Sequence, residues 1–128
     1  MRYQELASTG TGEPSAAIRE RVLAARVAQQ ERFRPSLKSY GLAGKGRAKV
    51  RCNAAMRTKE LHKHCALKPD VQAQLKMAIT ELNFSARAYD RILKVARTIA
   101  DLAASPDIQT EHVCEAIQYR NLDRQFWI

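Results

Sequence analysis

The chain has 128 residues, 45% hydrophobic but only 6% aromatic, with 22 Lys and Arg against 13 Asp and Glu for a formal charge of +9. A chain of this length buries roughly two-thirds of its unfolded surface, which supports one small core and excludes a two-domain enzyme. The apolar share comes mostly from Ala, Leu, Ile and Val, which excludes disorder throughout. No run of about 18 apolar residues is present to span a bilayer, and MRYQELASTG lacks the apolar stretch of a secretory signal. A cytoplasmic chain with no membrane partner is therefore expected. Cys52, Cys65 and Cys114 are odd in number and lack paired spacing, as reduced thiols do.

The charge is unevenly spread. Residues 1–40 carry 7 basic and 4 acidic side chains, residues 41–68 carry 8 and 1, and residues 69–128 carry 7 and 8. The excess is concentrated around GLAGKGRAKVR, where Lys45, Arg47, Lys49 and Arg51 alternate with small residues.

In chain order, Gly10, Gly12 and Pro14 punctuate an N-terminal tail over residues 1–13, and Ser15 is the expected cap of a helix running to about Phe33 and closed by Pro35. At about 100° per residue, Ile18, Val22, Ala25 and Phe33 form one apolar stripe of that helix, and Leu23 and Val27 form a second, with Arg19 and Arg26 between them. Two stripes imply two neighbours. One is this domain's core; the other is a partner, so Leu23 and Val27 are expected to be partly exposed or covered by self-association. Residues 35–56 show no sustained period and hold the mid-chain glycines, which predicts a mobile basic loop.

A short helix follows, with Thr58 as the expected cap of KELHKHC. Pro69 then suits the first turn of a helix carrying Val71, Leu75, Ala78, Ile79 and Leu82 on one face, and Asn83 is placed to end it in a left-handed conformation. Ser85 caps the most strongly patterned segment, ARAYDRILKVARTIADLAA. Its expected inner arc is Ala88, Ile92, Val95, Ala96, Ile99, Leu102 and Ala103, with Arg87, Asp90, Arg91, Lys94, Arg97, Thr98 and Asp101 on the solvated side. Ser105 and Pro106 stop it, and Thr110 opens a last helix with Val113, Ala116 and Ile117 facing inward. No period-two run appears, so the fold class is all-α, a small bundle of four to five helices.

Three chemistries can be set against these residues. Gly41-Leu-Ala-Gly-Lys-Gly46 has the spacing that opens a P-loop, but Arg47 and Ala48 stand where the phosphate-binding Lys and the magnesium-holding Ser or Thr are required. His62, His64 and Cys65 invite a zinc reading with Cys52, yet on a helix His62 and Cys65 share a face and His64 does not; no metal site is expected. No nucleophile, base and acid grouping stands out, so the chain alone has no expected catalytic residue. What remains is a cationic ridge. Arg87 falls in the first turn of its helix, near free N–H groups and the positive dipole end, with Arg91 and Lys94 on the same side, an arrangement that receives phosphate oxygens.

The segments SAAIRERVLAAR (15–26), NAAM (53–56), ELHKHC (60–65), LNFSARAYDRILKVARTIADLA (82–103) and EHVCEAIQYRNLDRQFW (111–127) resemble the C-terminal region of magnesium-chelatase-like AAA+ ATPases, nearest to the bacterial YifB and ComM competence group. The resemblance implies a helical lid that follows the ATPase core in a larger protein. It implies that Ser85-Ala86-Arg87 matches the sensor-2 position, whose arginine contacts the γ-phosphate of ATP, with Arg91 as possible support. It further implies ATP and Mg2+ as cofactors of the full-length protein, the AAA+ core of the same protein as partner, a homo-hexamer, and DNA as substrate of a helicase that promotes branch migration in natural transformation. The P-loop, the acidic magnesium-holding motif and the trans-acting arginines of that core are absent from these 128 residues, so no ATP hydrolysis is expected of them alone. The different reading left by charge is a stand-alone basic helical module binding nucleic acid through Lys45, Arg47, Lys49 and Arg51.

Overall fold

The computed structural model describes the backbone of residues 12–43 and 50–125, and the side chains of 12–34 and 50–120. Five α-helices lie among them: α1 (Ser15–Ala43), α2 (Thr58–His64), α3 (Pro69–Leu82), α4 (Ala86–Leu102) and α5 (Thr110–Gln125), with a 3-10 turn at Asn53–Ala55 between α1 and α2. No strand occurs among the described residues, and the all-α bundle expected from the hydrophobic periodicity is the fold. No described helix is long and apolar enough to cross a membrane.

Helix boundaries follow local chemistry in the second half of the chain. Pro69 occupies the first turn of α3, where its missing N–H costs nothing, and Asn83 ends that helix at φ 54° and ψ 47°, with the Phe84 amide bonding back to the Ile79 carbonyl at 3.1 Å. The Ser85 hydroxyl caps α4 by accepting from the Ala88 amide at 3.2 Å. At its other end, Ala104 takes φ 56°, and the Ser105 amide reaches the Ala100 carbonyl at 2.8 Å; the turn stops α4 before Pro106 arrives. Thr58 is the first helical residue of α2 and not its cap. That place belongs to Arg57, whose amide donates to Glu60 at 3.2 Å.

The first half departs from expectation. Helix α1 does not close at Pro35 but continues to Ala43; the φ near −65° that the proline ring imposes is itself a helical value, although the ring removes one backbone donor and crowds the carbonyl four residues back. The expected loop over 35–56 is correspondingly shorter: 35–43 are helical, Asn53–Ala55 form the 3-10 turn, and Val50, Asn53 and Met56 are buried. Glu13, assigned to the tail, pairs with Arg21 across the start of α1.

Helix α4 is the middle of the molecule, packed on α5 and crossed by α1, α2 and the 3-10 turn. Ala88, Ile92 and Ala96 join a core with Phe33, Val50, Met56, Leu61, Cys65, Val71, Leu75, Phe84, Ile108, Val113 and Ala116. Its buried face is wider than its apolar stripe and is turned away from that stripe's centre. Ala88, Ile92, Ala96, Ala100, Leu93, Arg97 and Asp101 are all buried and span an arc of about 220° at 100° per residue, while Val95, Leu102 and Ala103 are exposed. The expected solvated side is therefore partly interior: Arg97 and Asp101 are 4% and 5% exposed.

These buried charges are held by a network joining three distant segments. The Asp101 carboxylate accepts from Arg32 at 2.6 and 2.9 Å, from the Asn53 amide side chain at 2.8 Å, and pairs with Arg97 at 3.2 Å. Arg32 also donates to Asn53 Oδ1 at 2.9 Å, Gln29 accepts from the Asn53 backbone N–H at 2.9 Å, and Arg97 donates to the Ser105 and Pro106 carbonyls at 2.9 and 3.1 Å. Burial pushes the Asp101 carboxyl up, but the hydrogen bonds from Arg32 and Asn53 and the charges of Arg32 and Arg97 outweigh it and hold the carboxyl below its ordinary range.

A carboxyl depressed in the folded state contributes stability in full above its unfolded value, near 4, and loses it as pH falls through the lower folded value. Urea melts should accordingly show the wild type weakening below about pH 4. Asp101→Ala, which strands two cations around one vacated site, should cost about 3–5 kcal/mol at neutral pH and flatten that acid response. A variant as stable as wild type would show that the network does not hold α1 to α4.

Candidate phosphate-binding end of α4

The capping geometry of α4 sets the candidate site. Ser85 satisfies the Ala88 amide through its hydroxyl and the Tyr89 amide through its carbonyl, which leaves the Ala86 and Arg87 amides of the first turn for an incoming acceptor. Arg87 is exposed at the second helical position and has no ion-pair partner among the described residues. Two open amides, the positive end of the helix dipole and a guanidinium on one turn are the chemical parts from which an oxyanion site can be built. Arg91 is exposed one turn further along. Lys94, the third member of the ridge, is half-buried and donates to the Ala54 carbonyl at 3.2 Å, which ties the ridge to the 3-10 turn.

Other expected sites are dispersed. Lys45, Arg47 and Lys49 lie outside the described residues; Arg51 is exposed just ahead of the 3-10 turn. Of the P-loop-like glycines, Gly41 lies in α1, and Gly44 and Gly46 fall outside the described residues. The residues weighed for zinc do not form a binding set. His62 points to solvent, whereas Cys65 is buried and its thiol is pushed up to about 11 by burial, so it stays protonated at neutral pH. His64 packs edge-on against Phe33 with ring centroids 5.4 Å apart, and burial, followed by the charges of Arg32 and Lys63, lowers its pKa. Among the described residues no three His, Cys, Asp or Glu side chains converge to hold a metal ion.

Sequence reasoning missed the members of the buried network. Arg97 and Asp101 have the i, i+4 spacing of an ordinary surface pair, and nothing local to Arg32 or Asn53 announces a partner more than 40 residues away. The expected second stripe of α1 is real. Leu23 and Val27 are 57% and 54% exposed, and Ile18 and Val22, expected to face the core, are exposed beside them; only Ala25, Gln29 and Phe33 of this helix are buried among its described side chains.

Residues 12–120 match the family described as magnesium chelatase, subunit ChlI C-terminal. The chain is similar to the competence protein ComM of Haemophilus influenzae, at 41% identity over 120 residues, covering 93% of this chain and 20% of that protein. It is also similar to the uncharacterised protein YifB of Salmonella typhimurium and to that of Escherichia coli, each at 35% identity over 113 residues, covering 88% of this chain and 19% of the relative. The chain thus spans about a fifth of the length of the curated relatives it matches.

Because the apolar face of α1 is exposed, polar replacement there should be nearly silent in the isolated chain. Leu23→Gln and Val27→Gln should each shift unfolding stability by less than about 0.5 kcal/mol in urea melts at low protein concentration. A loss above about 1 kcal/mol would place these side chains in a buried self-association interface instead.

Proposed function

The chain belongs to the magnesium chelatase ChlI C-terminal family, and on that premise we propose that it is the helical lid of a ComM/YifB-type AAA+ ATPase, closing over ATP held by the core of the same protein. The single observation that carries the reading is the open first turn of α4. Arg87 stands there with no ion-pair partner among the described residues, beside two unused amides, and by the family resemblance would take the part of a sensor-2 arginine. Its guanidinium would bind a terminal phosphate oxygen through two parallel donors, and the binding would tighten as negative charge builds on that phosphate during hydrolysis. Arg91 adds positive potential one turn along.

The division of labour follows from what these residues can hold. An unpaired arginine and free amides fit a phosphate, whereas no described carboxylates converge to hold a divalent ion. By the family resemblance Mg2+, which neutralises phosphate charge when bound, would be held by the core together with the P-loop. The exposed Ile18, Val22, Leu23 and Val27 face is the surface by which the domain meets that core. By the family resemblance the parent machine is read as a hexameric motor acting on DNA, a helicase for branch migration in natural transformation; the name of the ComM relative carries only the word competence.

In the full-length protein Arg87→Ala should lower ATP turnover by roughly tenfold or more, falling mainly on kcat, with helical content and melting unchanged. Arg87→Lys should restore only part of it, since a point charge lacks the two-donor fork. Turnover equal to wild type in Arg87→Ala would remove this residue from the reaction.

A further inference from the structure

A second cationic feature lies farther along α4 and does not include Arg87. A groove of about 550 Å³ opens between α4 and α5, lined by Arg91, Lys94 and Val95 from one side and by Tyr119 and Arg120 from the other, with Ala54 of the 3-10 turn at its edge. Among the described residues no acidic side chain lines it, and Glu115 lies against Tyr119 at its rim. The ion-paired acids of the described structure are committed elsewhere, Glu13 to Arg21, Glu31 to Arg34, and Asp101 to Arg32 and Arg97. Arg91 and Arg120 have no ion-pair partner among the described residues, and the carbonyl bond from Lys94 to Ala54 fixes its ammonium without neutralising it.

Three converging cations repel one another, and an anion relieves that repulsion. The groove is not purely electrostatic, however. Tyr119 is 54% exposed beside Arg120, and Val95 and Ala116 form an apolar floor. The neighbouring Glu115 carboxylate raises the Tyr119 phenol above its ordinary range, so the ring is neutral at any physiological pH. A neutral exposed ring set among cations suits a ligand with both phosphates and flat faces. In a duplex the base faces are already stacked on each other; in a single strand they are free.

We propose that the α4–α5 groove seats single-stranded nucleic acid, with Arg91, Lys94 and Arg120 on successive backbone phosphates and Tyr119 stacked on an unpaired base. This deepens the DNA-acting part of the proposed function and rests on it, while being separate from the role of Arg87. The site differs from the basic segment 45–51, whose described cation, Arg51, is not among the residues lining the groove.

The test uses the 128-residue chain and a fluorescent 20-nucleotide oligo-dT followed by anisotropy at several salt concentrations. Wild type should bind at low salt and weaken as salt rises. Arg91→Ala with Arg120→Ala should weaken binding tenfold or more and reduce the logarithmic salt slope by about 1.4, as expected for two lost single-strand phosphate contacts. Tyr119→Ala should weaken binding to oligo-dT by at least about fivefold while changing binding to a 20-base-pair duplex little. Arg19→Ala with Arg26→Ala removes the same charge from exposed sites on α1 and should leave affinity within about twofold.

Several results would overturn the assignment. They are absence of binding at low salt, equal losses from the groove and α1 double variants, displacement of the strand by millimolar ATP, or loss of binding only when Lys45, Arg47, Lys49 and Arg51 are neutralised together. Turnover by Arg87→Ala in the full-length protein reads the nucleotide site alone. Either reading can therefore fail without the other.

Discussion

The Asp101 carboxylate is the constraint around which the helices are arranged. It is a single anion facing two arginines, Arg32 from α1 and Arg97 from its own helix, with Asn53 bridging from the 3-10 turn. Removing such a charge from water is costly, and the cost is offset only when every lone pair has a donor in good geometry. The requirement fixes Arg32, Asn53 and Asp101 within hydrogen-bond reach of one another, so the crossing of α1 over α4 has little freedom. Apolar contacts at Phe33, Val50 and Met56 then fill the space around the network. Hydrophobic burial supplies most of the driving force, but it is non-directional; the directional bonds select this crossing from others that would bury similar area.

That division explains what could be read from the sequence. The periods of α3, α4 and α5, the Ser85 cap, Pro69 in the first turn and the left-handed Asn83 are local events, encoded within four or five residues, and they form as the pattern dictates. The width of the buried arc on α4 is not local. Arg97 and Asp101 look solvated because their apolar neighbours lie on another side, and only the arrival of α1 with Arg32 and Gln29 makes that side interior. The misplaced end of α1 has a similar cause. Pro35 is a stop signal in isolation, but a 29-residue helix can carry one missing donor. For the candidate site, Arg87 and its cap were legible because both lie in one helical turn. The α4–α5 groove was not, since it needs Arg91 and Tyr119 from helices whose packing no local pattern specifies.

Helix α1 behaves as two parts. From Ala25 onward it is anchored by Ala25, Gln29, Arg32 and Phe33, whereas Ile18, Val22, Leu23 and Val27 leave an apolar surface open on its N-terminal half. Four aliphatic side chains within ten residues exceed the scattered exposure normal for a monomer surface. They lie at the start of the family match, which opens at residue 12, in a chain spanning about a fifth of its relatives' length. In the proposed lid the same helix would therefore be gripped at one end by this bundle and at the other by the core. A rigid element shared between two bodies passes motion from one to the other.

The same logic applies to α4 and links the two anion-binding features. Its 17 residues make a rod of about 25 Å, with Arg87 in the first turn, the groove residues Arg91 and Lys94 near the middle and Asp101 in the last turn. The network clamps the far end to α1, and the Lys94 bond to Ala54 pins the middle to the 3-10 turn. Such a rod does not bend at small loads. Arg87 and Arg91 are thereby carried on one stiff element whose far end and middle are fixed to α1 and to the 3-10 turn. The buried ion network supplies one of the two fixed points that set where both features stand.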